Sequence, residues 1–118
     1  MNKRELIIKQ YFESWIKRDI SIIEKHFSKN VIYKEVHEYN GIDKIKHEFN
    51  DERIWNNGYN VLKWDIKRFI KNKNLIVVEW FKEWEYIGEN CSYDGASIVE
   101  FDENDKIIIY REFLEWHF

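Results

Sequence analysis

Three side chains at alternate positions, Tyr33, Glu35 and His37, could together perform acid–base chemistry. If the segment is an extended strand, alternate side chains share one face, so these three groups would point the same way. A carboxylate among apolar walls has a raised pKa, and an imidazole exchanges protons near neutral pH. The spacing therefore predicts an enclosed polar site in which Glu35 and His37 are catalytic. The alternative is a strand in which Ile32 and Val36 face the core while Glu35 and His37 are solvated.

Aromatic side chains supply candidate walls for such a site. The chain has six Trp, seven Tyr and eight Phe, which make up 18% of its residues. In the segment from Val78 to Tyr86, alternation places Trp80 and Trp84 on one apolar face that Lys82 interrupts. Aromatic walls suit flat, apolar ligands, although the same residues would also serve as core or dimer packing. The predicted aromatic pocket residues are Trp15, Tyr33, Trp55, Trp64, Trp80, Trp84 and Tyr93.

Two later segments offer polar groups to the same pocket. Ser97 follows the small residues Gly95 and Ala96, which would let a ligand approach closely or would mark a bulge that bends the sheet. Arg111 and Glu112 point to opposite faces, so only one of them can enter a pocket. Arg111 near Glu35 would form a buried ion pair or bind an anionic ligand, unless it is structural. We therefore include Ser97 and Arg111 among the predicted ligand-binding residues.

Composition excludes several classes of protein. The net charge is −3 with both signs interleaved, which argues against a nucleic-acid partner. No apolar run approaches 18 residues, so we expect neither a membrane span nor a signal peptide, and hence a cytoplasmic location. The four histidines and the single cysteine, Cys91, lack metal-ligand spacing, and no glycine-rich phosphate loop is present. We therefore expect no metal and no cofactor.

The elements that would position these residues follow from hydrophobic periodicity. Helical spacing predicts helices from Asn2 to about Arg18, after Asp19 until Ser28-Lys29-Asn30, and from Ile42 to about Trp55. A short strand, Val31 to Val36, lies between the second helix and the turn Tyr39-Asn40-Gly41. The remainder has period two and predicts a four-strand meander with turns near residues 71–74, 88–90 and 102–105. With 118 residues, the chain is predicted to form one α+β domain, residues 1–118.

This order of elements resembles the nuclear transport factor 2-like superfamily, and within it the SnoaL-like polyketide cyclase domains. The best local match is Gly95 to Ile107 followed by Tyr110-Arg111-Glu112-Phe113. Relatives often show a small-residue strand, Phe-Asp, a turn, Lys-Ile and then Arg-Glu-Tyr at these places. Here Asp105 stands where the turn glycine is usual, and Phe113 stands where the tyrosine is usual.

The resemblance implies a cone-shaped curved antiparallel sheet wrapped over three N-terminal helices, with a pocket in its open end. It also implies a homodimer formed through the outer face of the sheet. In ketosteroid-isomerase-like relatives a carboxylate near the end of the first strand is the general base, and Glu35 is the similar position. Members of the superfamily include isomerases, cyclases, dehydratases, epoxide hydrolases, non-catalytic binders and protein-interaction modules, and fold alone does not choose between them.

Two hypotheses for function therefore stand side by side. One is a cofactor-free isomerase, cyclase or dehydratase that acts on an apolar or aromatic small molecule, with Glu35 as base and Tyr33, His37 or Ser97 holding an oxyanion. The other is a non-catalytic module that binds a ligand or a protein, in which Glu35 and His37 satisfy each other. A buried Glu35 beside an open cavity would favour the enzyme.

Overall fold

The computed structural model of the protein describes residues 1–35, 37–51 and 58–116. Three helices lie in the first half of the chain and four long strands in the second. The elements are α1 (Lys3–Lys17), α2 (Ser21–His26), β1 (Phe27–Lys34), β2 (Glu38–Asn40), α3 (Ile42–Phe49), β3 (Asn60–Asn72), β4 (Leu75–Tyr86), β5 (Glu89–Phe101) and β6 (Ile107–Trp116).

The six strands form one curved mixed sheet in the order β2-β1-β6-β5-β4-β3. The last four strands form the predicted antiparallel meander, which is confirmed. β1 runs parallel to β6, with Tyr33 opposite Tyr110 and Lys34 opposite Arg111. The α+β fold class, with a sheet that covers three helices, is thereby confirmed.

Local chemistry sets the ends of α1 as the sequence predicts. The side chain of Asn2 caps the first turn by accepting a hydrogen bond of 2.8 Å from the backbone N–H of Glu5. Arg18 ends the helix in the left-handed conformation, with φ of 57°. The buried face of α1 includes Tyr11 and Phe12, and the Phe12 ring stacks on Trp64 of β3 at 4.0 Å between ring centroids.

Three predicted boundaries are wrong. α3 ends at Phe49 rather than near Trp55, because Asn50 and Asp51 are weak helix formers and the backbone leaves the helix there. Residues 28–30 belong to β1 rather than to the end of α2. Tyr39 and Asn40, predicted as part of a turn, belong instead to the edge strand β2, in which Tyr39 pairs with Tyr33 of β1.

One glycine on β5 is required by the way the sheet packs. Gly95 lies opposite Trp80, and a Cβ built at Gly95 would be 2.4 Å from Cη2 of Trp80 and 2.6 Å from the carbonyl oxygen of Phe113. The absence of a side chain at Gly95 lets the indole of Trp80 approach the backbone of β5 closely, and this indole is completely buried.

A register shift in β6 decides which of its residues face inward. Glu100 pairs with Ile109 and Phe101 with Ile107, so Ile108 is the additional residue on β6. Both Ile107 and Tyr110 are consequently buried, although simple alternation would separate them. Beyond this shift the alternation is regular, so that Glu112 is buried whereas its neighbours on the strand are exposed.

Candidate functional site

A cavity of about 310 Å³ lies between the helices and the inner face of the sheet. Its walls are mostly aromatic, and its ionisable lining groups are three glutamates and one lysine. The lining residues are Trp15, Tyr33, Glu35, Tyr39, Ile45, Glu48, Tyr59, Trp64, Lys82, Trp84, Tyr86 and Glu112. An adjoining depression shares five of these residues and adds Tyr93, Phe113 and Leu114.

Glu35 reaches the cavity from the end of β1. The strand stops at Lys34, and the backbone N–H of Glu35 donates to the carbonyl oxygen of His37 at 3.0 Å. Burial raises the pKa of Glu35 from 4.5 to about 7, and the negative charges of Glu112 and Glu48 act in the same direction. Lys82 partly opposes this rise. Glu35 thus exchanges a proton near neutral pH, as a general base should.

Lys82 brings a positive charge into the same cavity. It occupies the inward register of β4, which Ile76, Val78 and Trp80 also follow, and it is only 6% exposed. Burial by itself lowers the pKa of Lys82, but the Tyr59 hydroxyl, followed by Glu112, Tyr93 and Glu35, raises it above its ordinary value overall. Its ammonium lies 4.2 Å from the centroid of the Trp64 ring, a favourable cation–π contact. Lys82 is therefore protonated in the neutral pH range.

Glu112 is anchored by a chain of buried hydrogen bonds. The Trp80 indole N–H donates to Ser97 Oγ at 2.9 Å, the hydroxyls of Ser97 and Tyr110 lie 2.8 Å apart, and Tyr110 donates to Glu112 Oε1 at 2.9 Å. An indole N–H can only donate, and the last link ends on a carboxylate, so the chain has a single direction. It fixes the position of the Glu112 carboxyl group.

Two indole N–H groups in the cavity wall lack an internal acceptor. Trp64 and Trp84 both line the cavity, and the buried Nε1 atom of each has no hydrogen-bond partner within the described part of the chain. Buried donors are normally satisfied, because an unmet N–H costs free energy. Their presence in the wall favours a ligand that carries hydrogen-bond acceptors.

Five of the predicted site residues come together in the cavity: Glu35, Trp15, Tyr33, Trp64 and Trp84. Tyr93 lines the adjoining depression. Trp80 and Ser97 lie instead in the packed core, where both are completely buried and bonded to each other. Trp55 lies outside the described residues.

Two predicted residues point away from the cavity. His37 is exposed, because β1 ends before it and the bend at Glu35 breaks the alternation on which the prediction rested. Arg111 is also exposed, and its guanidinium lies 5.1 Å from the centroid of the Phe113 ring. Glu112 takes the inward position on β6. The alternative for β1 is right about His37 and wrong about Ile32, which is 41% exposed rather than in the core, while Val36 lies outside the described residues.

The sequence prediction missed the remaining ionisable groups. Lys82 had a visible signal, because a lysine that interrupts an apolar strand face is either a surface break or a buried functional group. The signal for Glu112 was weaker: it lies on the same face of the strand as the apolar residues Tyr110 and Leu114. Glu48 and Tyr59 had none, because their approach to Glu35 and Lys82 depends on how α3 and β3 pack.

No group of three or more His, Cys, Asp or Glu side chains in residues 1–35, 37–51 and 58–116 could hold a metal ion. Within those residues, no helix is long and apolar enough to cross a membrane.

Comparison with known proteins gives a fold but no close relative. The sequence matches no protein-family model and no curated protein. Among solved structures, similarity extends to an epoxide hydrolase of the LEH-like type from M. tuberculosis, with a TM-score of 0.81 and 10% identity over 95% of this chain and 82% of that one.

Two further structures show the same likeness. TerC, co-crystallised with polyporic acid, gives a TM-score of 0.78 at 14% identity, covering 97% of this chain and 92% of TerC. An NTF2-like protein of unknown function from Exiguobacterium gives 0.77 at 16% identity, covering 92% and 98%. Together with the curved sheet over three helices, these similarities show that the chain has the nuclear transport factor 2-like fold.

Proposed function

We propose that the protein is a cofactor-free enzyme that transfers protons on a small, partly aromatic molecule, with Glu35 as the general base. The observation that carries this proposal is the position of Glu35 in an aromatic cavity, with its pKa raised to about 7. A carboxylate with such a pKa is ionised in part at neutral pH and is a stronger base than an ordinary one.

The geometry suggests how the reaction would proceed. The carboxylate of Glu35 takes a proton from a carbon next to a carbonyl group, and the electron pair moves to the carbonyl oxygen. The ammonium of Lys82 stabilises the resulting enolate oxygen in the low-dielectric cavity. The Tyr33 hydroxyl lies 2.6 Å from the Tyr11 hydroxyl, so Tyr33 can accept from Tyr11 and donate to the same oxygen.

The protonated Glu35 then completes the reaction. Returning the proton to another carbon gives an isomerase, and giving it to a departing hydroxyl gives a dehydratase. Attack of the enolate on a second carbonyl gives a cyclase, which corresponds to the SnoaL-like resemblance. His37 and Arg111 have no part in this scheme, since both side chains are exposed.

Two structural neighbours lend support. The epoxide hydrolase indicates that this fold can house an enzyme, and the TerC complex with polyporic acid indicates that it can receive a small organic molecule. The acceptorless indole N–H groups of Trp64 and Trp84 suit a ligand with oxygen acceptors. These considerations favour an oxygenated aromatic substrate.

The proposal can be tested without knowing the natural substrate. The probe is 2-tetralone, a flat bicyclic ketone whose C1 hydrogens are acidic. In D2O the protein should accelerate the loss of the C1 proton signal in NMR, and the rate should rise with pH to a plateau with a midpoint near 7. Glu35→Gln should reduce the protein-dependent rate by about 100-fold or more, as expected for loss of a general base.

Glu38→Gln is the matched control, because Glu38 is an exposed carboxylate three residues further along the chain. It should leave the exchange rate unchanged. No exchange above the buffer rate, or equal rates for the wild type and Glu35→Gln, would contradict the catalytic proposal. That result would favour the alternative, a non-catalytic ligand-binding or protein-interaction module.

We also propose that two copies pair through the outer face of the sheet. Phe113 is 47% exposed there, beside Ala96 on the neighbouring strand, and such an apolar side chain suits a self-complementary contact. Sedimentation should give the mass of a dimer for the wild type and of a monomer for Phe113→Lys. A monomeric wild type would refute this pairing.

A further inference from the structure

We propose that the ligand of this cavity is an organic cation, an ammonium group on a small body that also carries an oxygen acceptor. This inference names the substrate class of the proposed function and rests on the same cavity.

Acidic groups outnumber basic ones in the cavity wall. Glu35, Glu48 and Glu112 bring three carboxyl groups, whereas Lys82 brings one ammonium. Within the described residues, none of the three carboxyl groups has a cationic side chain within 4.0 Å. The effect on Glu35 is visible in its raised pKa, to which burial contributes most, followed by Glu112 and then Glu48. A cation in the cavity would relieve this repulsion and compensate the buried charge.

The walls of the cavity are mostly aromatic. Seven aromatic rings line the cavity, four from tyrosine and three from tryptophan. Faces of aromatic rings attract ammonium groups, and several rings around one cation form the aromatic cage that binds alkylated amines. This cavity already uses the effect once, since the ammonium of Lys82 lies over the Trp64 ring at 4.2 Å.

The indole N–H of Trp64 offers a hydrogen bond to a second part of the ligand. Trp64 is only 6% exposed, and its indole N–H has no acceptor within the described residues. A purely hydrocarbon amine would leave that donor unmet, whereas a hydroxyl or carbonyl oxygen on the same molecule could accept from it. The ammonium and the oxygen together distinguish this ligand from a neutral hydrocarbon and from an anion.

A matched pair of probes tests the inference. The (4-hydroxyphenyl)trimethylammonium ion and 4-tert-butylphenol have nearly the same shape and the same hydroxyl, and they differ in the positive charge. Calorimetry at neutral pH should give a dissociation constant at least about tenfold lower for the cation. Equal affinities, or tighter binding of the neutral phenol, would overturn the inference.

Substitutions of single glutamates test which carboxyl groups cause the preference for the cation. Glu112→Gln and Glu35→Gln should each reduce the preference for the cation several-fold, while Glu38→Gln, on the exposed strand β2, should leave it unchanged. A preference that survives in both cavity variants would place the cation elsewhere and overturn the assignment. Since neutralising one acid could loosen the fold, circular dichroism of each variant must match the wild type, and 4-tert-butylphenol binding must persist.

The outcome is separable from that of the proposed function. Exchange of 2-tetralone without a preference for the cation would leave the proton-transfer proposal standing and refute the ligand class. A preference for the cation without any exchange of 2-tetralone would refute the proton-transfer proposal and leave the ligand class standing.

Discussion

Tyr110 donates its phenolic hydrogen to Oε1 of Glu112 at 2.9 Å, and both side chains are buried. The same hydroxyl lies 2.8 Å from Ser97 Oγ, which in turn accepts from the Trp80 indole. A continuous chain of hydrogen bonds therefore connects the core of the sheet to Glu112 in the cavity wall. Mutations in the core should consequently affect the cavity.

Tyr110→Phe tests this connection. The substitution keeps the ring, which stacks on Tyr33 at 4.7 Å, but removes the donor to a buried carboxylate. We expect the free energy of unfolding to fall by about 1.5–3 kcal/mol, the range for hydrogen bonds to charged groups. Urea unfolding at neutral pH measures it. Tyr86→Phe is the control, since Tyr86 is 36% exposed, and a loss no larger than that of the control would refute the role of the chain.

Glu112→Gln should lower the pKa of Glu35. After burial, the negative charge of Glu112 is the largest cause of the raised value of about 7, and the substitution removes that charge. The measurement is a titration of the glutamate side-chain carbons by ¹³C NMR, with Glu35 assigned by its absence in Glu35→Gln. A midpoint that stays near 7 would show that Glu112 does not act on Glu35.

Lys82→Met should have the opposite effect on the same titration. The ammonium of Lys82 lowers the pKa of Glu35, so its removal should move the midpoint above 7. Methionine retains the unbranched shape at this buried position. If both variants move the midpoint in the same direction, a general loosening of the fold rather than charge would be the cause.

Glu35→Gln should stabilise the protein at high pH. Glu35 holds its proton up to about pH 7 when folded, whereas in the unfolded chain it releases it near pH 4.5. The folded state thus binds more protons between these values, and stability falls as the pH rises through this window. At pH 8 the variant should be more stable than the wild type by about 3 kcal/mol, at about 1.4 kcal/mol for each pKa unit, with little difference at pH 4. Parallel stability curves for the two proteins would contradict the raised pKa.

Gly95→Ala should destabilise the fold strongly. The new methyl group would lie 2.4 Å from the Trp80 ring and 2.6 Å from a backbone oxygen, and neither can move freely in the core. We expect a loss of about 3 kcal/mol or more, at the upper end for overpacking. Thermal unfolding measures this loss, with Ala96→Gly as a neighbouring control. A melting temperature equal to that of the wild type would mean that Trp80 is not held against Gly95.

Ile87→Asn should stabilise the hairpin between β4 and β5. Ile87 has φ of 52° and Gly88 has φ of 77°, so a β-branched residue occupies a left-handed position that Asn tolerates far better. The side chain of Ile87 is 68% exposed, so little packing is lost. We expect a gain of about 0.5–1 kcal/mol in chemical unfolding. Ile70→Asn, at an exposed position in a strand, should not increase the free energy of unfolding. If Ile87→Asn lowers the free energy of unfolding, the left-handed conformation of Ile87 is not strained.

The sequence was informative wherever period and alternation decide the outcome. The meander and α1 followed from local patterns, because alternation fixes which side of a strand faces inward and helical spacing fixes the buried face of a helix. The presence of Glu35 in the cavity agrees with the prediction, although Glu35 lies just beyond the end of β1. The position of His37 did not follow, since alternation fails where a strand ends. The choice between Arg111 and Glu112 depended on the register of β6, which pairing with β1 and β5 sets. The approach of Glu48 from α3 depended on tertiary packing alone.

The parallel pairing of β1 with β6 has a consequence for the order of folding. It joins two strands that lie far apart in the sequence, so it can form only after β6 has been synthesised. Contacts between such distant segments close late, because the loop entropy must be overcome first. Glu35 and Glu112 stand on these two strands or directly after them. The repulsion between the two carboxyl groups is therefore absent while the meander assembles and arises only when β1 joins β6.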